Sequence, residues 1–231
     1  MRFVTLPRPA WAVGTYDGAY NSEDALAGRS TLSVAATGAV SGKVFARIGG
    51  AGVTATLAAA SIKAYDEARG VFLVEATMKG AGIEACKVEF TLAKGENGLG
   101  EAVAAADGDA MWLVQNVWKR TALKAPAFNT KKPLSLRLAN GLALKFGANG
   151  AVTFSGKVAG DDGEPVAVSG SAQLIACWDE ESGTNAKLVV YAAPRANLAN
   201  GVAEEIELHL KKNAKNVVTG VTEVTAAPAL P

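Results

Sequence analysis

The sequence predicts an all-β protein built from two duplicated antiparallel meanders that form a β-sandwich or a barrel-like body. Three observations lead there. Alternating runs rich in Val, Thr, Ile and Phe are broken by Gly or Asp-Glu turns about every 8 to 12 residues, the spacing of short antiparallel strands. The 231-residue chain carries 25 glycines and only 6% aromatic residues in a 49% hydrophobic composition, which suits closely spaced strands joined by tight turns. One phrase also occurs twice: STLSVAATGAVSGKV at 30–44 and LALKFGANGAVTFSGKV at 142–158.

The two copies run in one register. Gly38-Ala39-Val40 leads directly into Ser41-Gly42-Lys43-Val44, and Gly150-Ala151-Val152 leads, after Thr153-Phe154, into Ser155-Gly156-Lys157-Val158. SIKAYDEARG (61–70) then lies over LIACWDEESG (174–183), which sets Tyr65-Asp66-Glu67 against Trp178-Asp179-Glu180. The shift is 112 between Gly38 and Gly150 and 113 between Tyr65 and Trp178.

The first unit, 1–118, includes an N-terminal strand. Residues 31–35 alternate, Gly38 turns the chain, and a short strand runs through Val44. VTATLAAASIKAY (53–65), a turn at 66–70, VFLVEATM (71–78) and CKVEFTL (86–92) follow. The Ala-rich stretch 101–106 is the strongest helical temptation, but Asp107-Gly108-Asp109 ends it too soon. Residues 119–133 have weak periodicity and form the connecting segment. The second unit, 134–231, gives LALKF, VTFSGKV, VAVSGSAQLIACW, KLVVYAA and EIELHLKK before a Pro-rich tail. Each unit thus holds about five or six strands, and the two meanders are expected to cover each other's apolar faces. Gly38 and Gly150 are expected at positive φ in hairpin turns. Gly42 and Gly156 are expected mid-strand at a bulge or sharp bend.

The net charge is +1, so no global excess draws the chain to nucleic acid or a membrane surface. Residues 111–160 hold no acid but contain Lys119, Arg120, Lys124, Lys131, Lys132, Arg137, Lys145 and Lys157. Residues 161–186 hold Asp161, Asp162, Glu164, Asp179, Glu180 and Glu181 and no base. Opposite charges on paired strands explain the two blocks without an anionic partner. No segment approaches the ~18 consecutive apolar residues of a spanning helix, so no membrane insertion is expected. The opening MRFVTLPRPAW lacks the pattern of a signal peptide, so the expectation is that the protein is intracellular, or that this chain begins after cleavage or is a piece of something longer. Cys86 and Cys177, one per unit, fit either a disulfide in an oxidising compartment or two free thiols.

Gly14-Thr15-Tyr16-Asp17-Gly18, Thr31-Leu32-Ser33-Val34 and Gly38-Ala39-Val40-Ser41-Gly42-Lys43 resemble a β-rich repeat module of large bacterial secreted and surface proteins, with the pattern G-x-Y-x-G, T-L-x-V, G-x-V-S-G-K. The resemblance covers the first unit and part of the second, where no G-x-Y-x-G precedes Leu142. It implies an extracellular or cell-envelope location and a structural or adhesive role, and carries over no catalytic residue.

Chemistry is sparse. His209, the one histidine, alternates with Glu207 and Lys211 as a solvent-facing strand residue rather than a catalytic base. One His and two distant Cys exclude a zinc cluster, and neither a metal nor another cofactor is expected. The acidic turns 106–110 and 160–164, and Asp66-Glu67 with Asp179-Glu180, read as hairpin turns rather than Ca²⁺ loops. A symmetric pair of those carboxylates across a cleft would instead suit a hydrolase. Aromatic spacing gives the main binding alternative. Tyr16, Tyr20, Trp112 and Trp118, with Gln115, Asn116, Lys119 and Arg120 beside them, form an even-spaced row for stacking on sugar rings if exposed, or core filling if not. The leading expectation is a non-enzymatic structural or adhesive module whose partners are neighbouring modules or surface glycans, with carbohydrate binding second and hydrolysis third.

Overall fold

A computed structural model describes residues 10–23, 25–48, 51–95, 98–106, 109–119, 125–159, 163–177, 185–192 and 201–224. The described residues contain strands, turns and three short 3-10 turns, and no α-helix.

The first body is a closed eight-stranded barrel of β1 (Gly14–Ser22), β2 (Ala25–Val34), β3 (Val40–Ile48), β4 (Ala51–Asp66), β5 (Val71–Gly80), β6 (Ile83–Lys94), β7 (Gly100–Ala106) and β8 (Asp109–Gln115). Each strand pairs antiparallel with the next, and β8 returns to β1 with Gly18 opposite Leu113. Side chains of alternate residues point inward. In β5, Phe72, Val74, Ala76 and Met78 are buried while Leu73 and Glu75 face out. Eight strands leave an interior just wide enough for side chains to fill, and Tyr16, Tyr20, Phe72, Phe90 and Leu113 fill it. Each such Leu or Phe, fully buried, contributes roughly 1.5–3 kcal/mol.

A 3-10 turn, Ala10–Ala12, closes one end of this barrel. Tyr16 Oη donates to Ala12 O at 2.7 Å, Gln115 Nε2 donates to Trp11 O and Val13 O, and the Trp11 ring lies 6.0 Å from Phe72. Gln115 Oε1 accepts from Gly100 N, so the buried amide satisfies three backbone groups at once.

The second body is an eight-stranded curled sheet. Its strands are β9 (Ala127–Phe128), β10 (Ser135–Arg137), β11 (Leu142–Phe146), β12 (Ala151–Ala159), β13 (Pro165–Cys177), β14 (Asn185–Ala192), β15 (Val202–Lys212) and β16 (Val217–Glu223). The order is β10-β11-β12-β13-β14-β15-β16-β9, with β9 parallel to β16. Its core holds Leu142, Leu144, Phe146, Leu174, Leu188 and Leu208. The sheet bends far enough that Ala139, beyond β10, donates its N–H to Glu223 Oε2 at the end of β16.

The meander succession β2 to β6 recurs as β11 to β15, and the repeated phrase sits at the same corner in both, between β2 and β3 and between β11 and β12. Gly38 (φ 86) and Gly150 (φ 69) take the left-handed conformation expected of them. The corner is a three-residue turn in which the residue before it donates to the residue after it: Ala35 N to Ala39 O, and Gly147 N to Ala151 O. Leu138 with Leu142 and Asn213 with Val217 repeat the geometry, with Gly141 and Asn216 at positive φ.

Three details differ from the sequence reading. The halves have separate main cores, because the barrel closes on its own apolar face and the second sheet curls around its own. Each meander has more strands than five or six, and the Ala-rich 100–106 stretch is β7, held by the ladders on both sides. Gly42 and Gly156 are not bulges, since neither strand shifts register there. A Cβ on Gly42 would stand 2.5 Å from Thr31 O, and one on Gly156 would stand 2.5 Å from Gly141 O. The same close backbone approach therefore occurs in both halves, one residue before the glycine's partner, Leu32 or Leu142.

The bodies meet by their outer faces. Ala19 and Val114 from the barrel, Leu99 and Val117 from its connections, and Ile175 and Val189 from the second sheet form one buried cluster. Beside it Arg29 Nη2 meets Asp17 Oδ1 at 2.5 Å, with the two side chains 15% and 10% exposed, and Arg29 Nη1 donates to Ser171 O on β13 at 2.8 Å.

Candidate functional site

The aromatic row does not form a platform. Tyr16 and Tyr20 do share a face of β1, as even spacing requires, but it is the inside of the barrel and both are fully buried. Trp112 points the opposite way from buried Met111 and packs in the seam between the bodies. Trp118 lies in a 3-10 turn, Val117–Lys119, where its Nε1 donates to Pro126 O at 2.7 Å and its ring lies 6.1 Å from Phe128. Asn116 is buried beneath it, with Oδ1 accepting from Trp118 N and Nδ2 lacking a protein partner. The large rings were drawn inward or into the seam because they are the scarcest apolar volume in a chain of Ala and Val. The Lys119 side chain and Arg120 lie outside the described residues.

Cys86 is a free, exposed thiol on β6, so the disulfide alternative is absent from this structure. The Cys177 side chain lies outside the described residues. His209 is exposed as expected, with Nδ1 3.2 Å from Asn185 Oδ1. Asp66 does the work of a turn residue: its Oδ1 accepts from Ala68 N and Arg69 N. Asp179 and Glu180 lie outside the described residues, as do all the acids of 161–186 except Glu164. Among the described residues of the second body, Lys187 pairs with Glu205 (2.6 Å) and Glu207 (3.6 Å), between β14 and β15.

Three places concentrate polar chemistry. The first is the barrel end opposite the N-terminal turn. Tyr20 Oη donates to Asp109 Oδ2 and Ser22 Oγ donates to Asp109 Oδ1, both at 2.7 Å. Burial, and then the bond to Asp109, push the Tyr20 hydroxyl well above its ordinary pKa, so it is a held proton donor. These groups border a cavity of about 170 Å³ whose wall includes Met78, Cys86, Val88 and Met111. Asp109 was legible only as a turn acid, because its donors lie 87 and 89 residues away in sequence.

The second place is the groove along the seam, about 400 Å³, where the Asp17–Arg29 pair is flanked by Thr31, Ser41, Lys43 and Gln173. Arg29 is already engaged with both bodies, so the groove reads as the polar margin of the interface. The third is the lip of the second sheet. Asn140 Nδ2 donates to Glu204 Oε2, and Glu223 stands near enough to raise the Glu204 pKa further after burial has raised it. No cluster of three or more His, Cys, Asp or Glu side chains suited to a metal occurs among the described residues. No helix among them is long and apolar enough to cross a membrane.

No protein-family model, curated protein or solved structure matches the chain.

Proposed function

We propose that this chain is a non-catalytic structural or adhesive β module of a bacterial secreted or cell-surface protein. The observation that carries the reading is the seam. Two sheets with separate cores are fixed side by side by an apolar cluster and by Arg29, which reaches from Asp17 to Ser171 O. A module that spaces or presents other parts of a large protein needs such a stiff body, whereas domains joined only by a polar contact move by default. The filled interior of the barrel supports the same reading, since side chains occupy the volume where a carrier would hold a sizeable ligand. The rings of the aromatic row are used for packing, which speaks against sugar stacking there.

The test has two arms. Calorimetry of the full chain should give one cooperative transition, and introducing a charge at the seam with Val189→Asp should split or broaden it. Cells displaying the full chain should attach to a surface or to one another more than cells displaying the Val189→Asp form. Two independent transitions in the unmodified chain would remove the stiff-body premise, and display without gain of attachment would remove the adhesive role.

A further inference from the structure

We infer that the barrel end opposite the N-terminal turn is a binding site for a soft monovalent metal ion of the Cu(I) or Ag(I) class, with Cys86, Met78 and Met111 as its sulfur ligands. The chain has only three methionines, and two of them line this one cavity together with Cys86. Met78 and Cys86 are direct cross-strand partners of β5 and β6, which sets their Cβ atoms about 4.5–5.5 Å apart on one face. Met111 enters from β8, where it is paired with Tyr20.

Packing alone does not account for this set. Cysteine used as a small hydrophobe is among the most buried residue types, yet Cys86 is exposed while its partner Met78 is buried. The ladder slips immediately beyond that pair, where Gly80 meets Ile83, and such a bulge re-aims the side chains next to it. Thioether and thiolate sulfur are the ligands that select Cu(I) over harder ions, and a flexible Met adapts its sulfur to an irregular wall. Electrostatics agree with a single positive charge: Asp109 borders the cavity, and its carboxylate is held by Tyr20 and Ser22. Lys87 is the cation of the lining, but its side chain alternates outward from Cys86 and Val88. Binding is a displacement in which Cys86 Sγ–H loses its proton to water and forms the Sγ–metal bond, while the two thioethers donate lone pairs without losing anything.

The experiment uses the full chain with Cys177→Ser, so that only one thiol remains, titrated anaerobically with Cu(I) against a chromophoric chelator and separately with Ag(I). One metal per chain, one proton released and a sulfur-only coordination shell by X-ray absorption are expected. Met78→Leu/Met111→Leu keeps the core volume, and should keep the melting temperature and the free thiol while lowering affinity at least tenfold. Cys86→Ser should abolish tight binding. If the double methionine variant binds as tightly as its parent, the site is a lone surface thiol and the inference fails. It fails equally if Cys86→Ser still binds, or if the absorption data show a single sulfur.

Discussion

The sharpest test of the architecture is to add one methyl group at Gly42 and, separately, at Gly156. The new Cβ would stand 2.5 Å from Thr31 O in the first case and 2.5 Å from Gly141 O in the second. A carbon–oxygen contact of this kind normally sits near ~3.3 Å, so neighbouring strands must part by about 0.8 Å. The atom that must yield is backbone in a ladder with unbroken register, and Gly42 also meets Leu57 Cδ1 at 2.7 Å. Overpacking of this sort costs about 1–3 kcal/mol; the rigid neighbour places both sites in the upper half, and the lower entropy of the unfolded Ala chain returns about 0.4–1 kcal/mol. The net loss is about 2 kcal/mol, or roughly 4–8 °C in Tm for a chain of this size. Gly220→Ala is the control, since its Cβ would find only Lys211 Cβ at 3.7 Å. Thermal melts by circular dichroism should show the first two variants destabilised alike and the control unchanged or slightly raised. If Gly42→Ala and Gly156→Ala melt with the control, close strand approach is not why the phrase recurs.

Other perturbations probe the seam and the buried acids. Arg29→Met should cost about 3 kcal/mol by leaving the Asp17 carboxylate buried without its partner, and Asp17→Asn/Arg29→Met should lose less than the sum of the single changes; strict additivity in denaturant melts would refute the coupling. Glu204 has a pKa raised from 4.5 by burial and by Glu223, so its protonated form contributes stability fully present below that value and lost as pH rises through the folded one. Glu204→Gln should therefore be more stable than the parent at neutral pH, with the gain disappearing in acid, and a constant difference across pH would contradict it. Tyr20 titrates well above its ordinary value of 10.0, so its neutral form stabilises the fold up to that pH and the benefit fades as pH climbs further. Tyr20→Phe should lose about 1.5 kcal/mol at neutral pH through the missing bond to Asp109, and a tyrosinate absorbance titration should count one fewer late-ionising group than in the parent.

What the residues alone carry is local, and not all of that: Gly42 and Gly156 are mid-strand but not at bulges. Alternation fixes which side chains share a face, so Tyr16 with Tyr20 and His209 with Glu207 and Lys211 are grouped as the structure has them, and Gly38 and Gly150 sit at the left-handed corners expected of them, because a turn needs only its own few residues. The tertiary structure decided which face is inside. A period of two cannot distinguish the interior of a closed barrel from an exposed row, and closure depends on β1 meeting β8 across almost the whole first half. The same limit hid Asp109 beneath Tyr20, Met78 beside Cys86, and Arg29 against Ser171, 142 residues apart in sequence. Such pairings exist only once loop-closure entropy has been overcome and the sheets have curled, so no short stretch of the chain carries their signature.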